Sequence, residues 1–131
     1  MREIQTHIVN PANDRLKIIV TDQPGAGGAH HRYVITGADF EGNSSFDDAD
    51  LPMPRTTILF QNGAIPEAGV NGVTQEVLLA IVADRLRSFQ AGPFANDYNA
   101  AALSHVESAL GALLDRTRNR MARGVEGTHT V

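Results

Sequence analysis

The chain contains no cysteine, which excludes a disulfide, a cysteine-ligated zinc ribbon and a thiol nucleophile. It also lacks any apolar run of about 18 residues and any basic-plus-apolar leader, so neither a membrane span nor a secretory signal is expected and the cytoplasm is the default compartment. The glycine-rich stretch Gln23-Pro24-Gly25-Ala26-Gly27-Gly28 lacks the Gly-Lys-Ser/Thr ending of a phosphate loop. A strand rather than a helix is expected after it, so it reads as a flexible turn. Phe40 to Pro54 carries Glu41, Asp47, Asp48 and Asp50 with no base. Without the alternating-aspartate spacing of a calcium loop, it reads as a solvated acidic loop. There is no internal repeat.

What is present fits one domain. At 131 residues and 42% hydrophobic content the chain is large enough for a single core. The net charge is −4, unevenly spread: residues 1–73 hold 5 bases and 9 acids, residues 74–131 hold 6 of each, and residues 115–123 sum to +3. An acidic chain with one local basic patch suits a small anion better than long nucleic acid, which needs a broad positive stripe.

Four stretches carry strand patterning: Glu3 to Val9, Arg15 to Thr21, His30 to Thr36 and Arg55 to Gln61. The first two alternate across a turn at Asn10 to Asp14 and are expected to pair antiparallel. Thr74 then reads as an N-cap, and Leu78, Ile81, Val82, Leu86 and Phe89 recur at helical spacing up to Gly92-Pro93. Gly92 is expected to supply a left-handed stop there. A second helix, capped by Asn96 or Asp97, carries Leu103, Val106, Leu110 and Leu113 in steps of three, four and three. The fold class is α+β: a small antiparallel sheet of about four or five strands, followed by a C-terminal two-helix hairpin. The expected organisation is one domain over 1–131, with the sheet in 1–73 and the hairpin, arginine-rich at its end, in 74–128. The second helix outruns what such a sheet covers, so a homo-oligomer is expected to bury part of its seam.

Extended backward the apolar seam meets Asn99, and forward it meets Thr117 and Arg120. Arg116 and Arg120 are one turn apart and are expected to point the same way, as a pair of guanidiniums suited to phosphate. Alternatively, cations near a helix C-terminus simply complement its dipole, worth about 0.3–1 kcal/mol each when exposed. His30-His31 cannot share one metal from a strand, where neighbours point to opposite faces, so fold or pocket-lining roles are expected.

Several runs resemble a known family: Phe60 to Leu79 (FQNGAIPEAGVNGVTQEVLL), Arg85 to Phe94 (RLRSFQAGPF), Asn99 to Val106 (NAAALSHV) and the ending Arg116-Thr117, Arg120, Gly124-Val125-Glu126-Gly127-Thr128. They look like the phage Thoeris anti-defence proteins, whose members carry a sheet followed by a helical hairpin. The hairpin also resembles that of a shorter family of phage anti-CBASS sponge proteins. The likeness is close over 56–131 and runs through the strand pattern and His30-His31 before that. It implies a sponge that binds bacterial immune signals without cleaving them in the host cytoplasm. The implied signals are glycocyclic ADP-ribose and, at a second site in some members, cyclic di- or trinucleotides. It further implies a dimer or hexamer, with no cofactor and no metal. Carried over by position, the ligand-binding residues are Phe89, Asn99, Arg116, Arg120, Gly124, Gly127 and Thr128. An aromatic face stacks adenine, an asparagine amide reads a base or ribose edge, and arginine forks hold a diphosphate. The glycines leave backbone N–H groups unobstructed.

Two other classes compete. A signal-cleaving phosphodiesterase of the kind with paired H-x-[ST] motifs needs histidines as acid and base, and none of the five histidines stands in that motif. A purely structural phage protein would bind no signal.

Overall fold

The computed structural model describes residues 1–11, 14–47 and 55–124. Its element order is β1 (Arg2–Ile4), β2 (Lys17–Val20), β3 (Arg32–Thr36), β4 (Thr56–Leu59), α1 (Ile65–Ala68), α2 (Gln75–Gln90) and α3 (Asp97–Ala122). The four strands form one antiparallel sheet in the order β1-β2-β3-β4, followed by the helices, an α+β arrangement. The chain divides into two compact units, Met1–Asn62 and Gly63–Val131.

In the first unit the registers Ile4↔Ile18, Ile18↔Ile35 and Tyr33↔Ile58 stack apolar side chains on one face of the sheet. Val20 on that face and Val34 on the other are the buried aliphatic residues of the strands. Phe60 follows β4 and meets the Tyr33 ring edge-on at 5.6 Å.

Each strand is shorter than its sequence pattern, and local hydrogen bonds explain the first two. Glu3 to Val9 alternates well, yet β1 stops at Ile4 because the Gln5 carbonyl accepts from the Ile8 N–H at 3.1 Å and starts a turn. Beyond it the Asp14 carboxylate takes the N–H groups of Val9 and Asn10 at 3.0 and 2.9 Å, and those groups no longer serve a ladder. Those donors, Asn10 first, hold the Asp14 carboxyl below its ordinary range. β2 begins only at Lys17. Gly37, at φ +102°, presses against the Arg15 carbonyl where any Cβ would collide, which turns the strand out of the sheet at that point.

The glycine-rich stretch forms a short 3-10 turn at Ala26–Gly28. It is closed by the Gly25 N–H donating to the Ala29 carbonyl at 2.8 Å, and Gly27 and Gly28 both stand at positive φ. A strand does follow it. Of the acidic loop, Phe40–Gly42 is another 3-10 turn, whereas Asp48 and Asp50 lie outside the described residues.

In the second unit both helix starts fall where the sequence marks them. The Thr74 hydroxyl accepts from the Val77 N–H at 3.3 Å, and the Asn96 side chain accepts from the Asn99 N–H at 2.8 Å. The stop of α2 differs from expectation. Gly92 is not left-handed; Ala91 ends the helix in a right-handed conformation with its N–H on the Arg87 carbonyl. Pro93 prevents continuation, and the Gln90 side chain accepts from the Asn96 N–H at 3.1 Å, which ties α2 to the cap of α3.

The buried face of α2 also differs. Ala83 is fully buried, with Leu79, Leu86 and Gln90 half-buried along the same line, while Ile81 is 61% exposed and Val82 is exposed too. A small side chain can be buried completely where helices pack closely, which fits Ala83 at the centre of this line. On α3 the seam runs as its spacing implies: Asn99, Leu103, Val106, Leu110, Leu113 and Thr117 are half-buried and Arg120 is buried.

Candidate functional site

The hairpin presents two separated groups of candidate ligand-binding side chains. At its closed end, Phe89 is the penultimate residue of α2, and Asn99 lies in the first turn of α3. Both are half-buried. Asn99's backbone is fixed by the Asn96 cap, whereas its side-chain amide makes no hydrogen bond among the described residues. The amide thus stands as a donor and acceptor held in place and unspent. One face of the Phe89 ring carries the Arg85 guanidinium, whose central carbon lies 5.1 Å from the ring centroid. Arg85 escaped the sequence reading; its signal was the spacing Arg-x-x-x-Phe, which places the two side chains on neighbouring turns.

The second group lies toward the far end of α3. At a rise of about 1.5 Å per residue, Arg116 stands roughly 26 Å and Arg120 roughly 32 Å along the helix from Asn99. One hairpin therefore does not gather all the carried-over residues into one pocket. Arg116 and Arg120, one helical turn apart, differ in exposure. Arg116 is exposed, whereas Arg120 continues the seam and is only 5% exposed. Among the described residues Arg116 has no ion-pair partner, unlike Arg118, which meets Asp115 at 3.0 Å. Gly124, at φ +72°, donates its N–H to the Met121 carbonyl at 3.0 Å and terminates α3 as a left-handed glycine. Gly127 and Thr128 lie outside the described residues.

His30 and His31 take different roles in the sheet unit. His30 Nδ1 donates to the Asp22 carbonyl at 2.8 Å, and the ring lines a cleft of about 150 Å³ with Met1, Arg2, Val20, Asp22 and Gln23. His31 is buried beneath Gly25, and its Nδ1 finds no hydrogen-bond partner among the described residues. The Asp22 carboxylate accepts from the backbone N–H groups of His31 and Arg32 at 2.9 and 3.1 Å. Partial burial pushes the Asp22 carboxyl up, but those donors together with nearby His30 outweigh it and hold it below the ordinary aspartate range. Among the described residues no group of three or more His, Asp or Glu side chains is arranged to hold a metal ion, and no helix is long and apolar enough to cross a membrane.

A small antiparallel sheet followed by a helical hairpin, with an aromatic and an asparagine at the closed end and guanidiniums far along the second helix, defines an α+β class of protein. Residues 53–117 match the Acb2/Tad1 hairpin domain, a span that includes Phe89, Asn99 and Arg116 and stops short of Arg120 and Gly124. The chain is also 48% identical over 73 residues to Thoeris anti-defense 1 of Bacillus phage SBSphiJ7. That alignment covers 56% of this chain and 51% of the phage protein, so the chain matches about half the length of its relative. Together these likenesses support a phage Thoeris anti-defence family for the chain.

Proposed function

We propose that the protein is a sponge: it binds glycocyclic ADP-ribose in the cytoplasm of the infected host and holds it without cleaving it. The observation that carries this reading is at the closed end of the hairpin, where α2 ends on the half-buried aromatic Phe89 and α3 opens on the half-buried Asn99, whose side-chain amide makes no hydrogen bond among the described residues. A base stacked on such a ring gains about 1–3 kcal/mol. The Asn99 amide then reads an edge of the base or ribose, and the family that the chain resembles supplies the class of signal.

The arginine end, with Arg116 exposed, Arg120 behind it and Gly124, Gly127 and Thr128 following, is the proposed second site for cyclic di- or trinucleotides. Its separation from Asn99 along α3 favours two sites over one. A homo-oligomer, dimer or hexamer, is part of the same proposal. Val77, Ile81 and Val82 expose an apolar strip on α2 that a second copy would cover, each fully buried side chain contributing about 1.5–3 kcal/mol. Light scattering then gives a mass that is a multiple of 14.1 kDa; a monomer at micromolar concentration contradicts it.

The function is tested by incubating the protein with glycocyclic ADP-ribose, filtering, heating the retained protein and analysing what it releases. Depletion followed by release of the intact molecule is the expected result. A cleaved product would make the protein an enzyme, and no depletion would leave a structural role.

A further inference from the structure

We propose that Arg85 is a second binding residue of the Phe89 site, recognising the diphosphate of the signal whose base stacks on the ring. This rests on the sponge reading above and adds to it a residue and the part of the ligand it holds.

Three observations converge on Arg85. Its guanidinium lies over the Phe89 ring at 5.1 Å, so it covers a face that a base would take. It is exposed and has no carboxylate within ion-pair distance among the described residues. By contrast Arg87, two positions on, faces Glu107 of the opposite helix at 3.9 Å. Arg85 is therefore a planar cation parked on an aromatic surface, with its N–H donors uncommitted. An exposed guanidinium-ring contact is among the weaker attractions a cation makes, and it yields to a forked pair of hydrogen bonds with a phosphate, for which arginine geometry is suited. When a base occupies the ring, the guanidinium swings aside on its long stem and meets the negative charge attached to that base. In the free protein the same contact shields the ring from water and keeps the cation beside its target.

The test is calorimetric titration of glycocyclic ADP-ribose into the full chain at two salt concentrations, comparing wild type with Arg85→Ala, Arg85→Lys and Arg87→Ala. Loss of a charge-assisted contact predicts that Arg85→Ala binds roughly 10- to 150-fold more weakly. Its affinity also changes less with salt than that of wild type, because a screened attraction has gone. Arg85→Lys keeps the charge and so recovers the salt dependence, but it recovers only part of the affinity because an ammonium cannot fork. Arg87→Ala removes the same charge from the same helix and stays within about twofold of wild type. Unchanged or tighter binding by Arg85→Ala overturns the proposal, and so does weaker binding with an unaltered salt dependence, which marks a packing role. Either result leaves the sponge reading standing. A wild-type protein that binds no signal overturns both.

Discussion

The closed end of the hairpin and the far end of α3 are built from the same helix and the same apolar seam, yet they offer opposite chemistry. At the closed end the polar group on the seam is Asn99, neutral, with its backbone fixed by a cap and its amide unspent. At the far end the seam closes on Arg120, a cation that is 5% exposed, while its neighbour Arg116 stands in solvent. A neutral group prepared to read an edge needs a fixed position and little charge; a group that meets phosphate needs charge and access. Of the two arginines only Arg116 is exposed, whereas Arg120 is buried on the seam.

Substitution at each end separates the two chemistries. The largest effect is expected at the closed end. Phe89→Ala and Asn99→Ala each weaken binding of glycocyclic ADP-ribose in calorimetry, by roughly 5- to 150-fold for a lost stacking contact of about 1–3 kcal/mol. The oligomer stays assembled. If both variants bind normally the pocket lies elsewhere, and if they unfold the residues are core.

At the far end the comparison is between neighbours. Arg120→Ala loses a buried stem and leaves its surroundings unsatisfied, and is expected to cost about 1–3 kcal/mol in denaturant unfolding. Arg116→Ala is expected to stay within about 0.5 kcal/mol of wild type. Equal effects would mean that the two guanidiniums share one environment after all.

The smallest effect sets the sheet against the hairpin. Asp22 is held below its ordinary range in the folded protein, so its contribution is fully present above the usual aspartate range and is lost as pH falls through the lower folded value. Below that window its grip on the His31 and Arg32 N–H groups goes. Thr74 and Asn96, which cap the helices, carry no charge and do not titrate. The protection factor of the His31 amide should therefore fall on acidification before those at the helix starts do, and Asp22→Asn should flatten that dependence. Simultaneous loss of protection at both would contradict the assignment.

What the sequence made legible was mainly what is local. Thr74 and Asn96 announce their helices because a cap needs only a side chain and an N–H three residues on. The α3 seam was legible through to Arg120 because each step is one helical turn. The closed end of β1 was not, because the Asp14 carboxylate that claims Val9 and Asn10 enters from outside the strand pattern. On α2, Leu78, Leu86 and Phe89 are half-buried as expected, but Ile81 and Val82 were misplaced, for a different reason. Bulky Ile81 and Val82 dominate a hydrophobic pattern, while the fully buried position belongs to the small Ala83. Of the proposed binding residues, Phe89 and Asn99 stood out through family likeness and Asn99 also through its place on an apolar seam. Arg85 was visible only once its guanidinium was found on the ring.

The most direct test of the central claim is a time course with protein at a tenth of the concentration of glycocyclic ADP-ribose, measuring total intact signal after denaturing the mixture and free signal after filtration. A sponge removes free signal at once, in proportion to its sites, and then no more, while total intact signal never falls. A steady decline in total signal over time would show turnover and contradict sequestration, and an undiminished free concentration would show that the hairpin does not bind it.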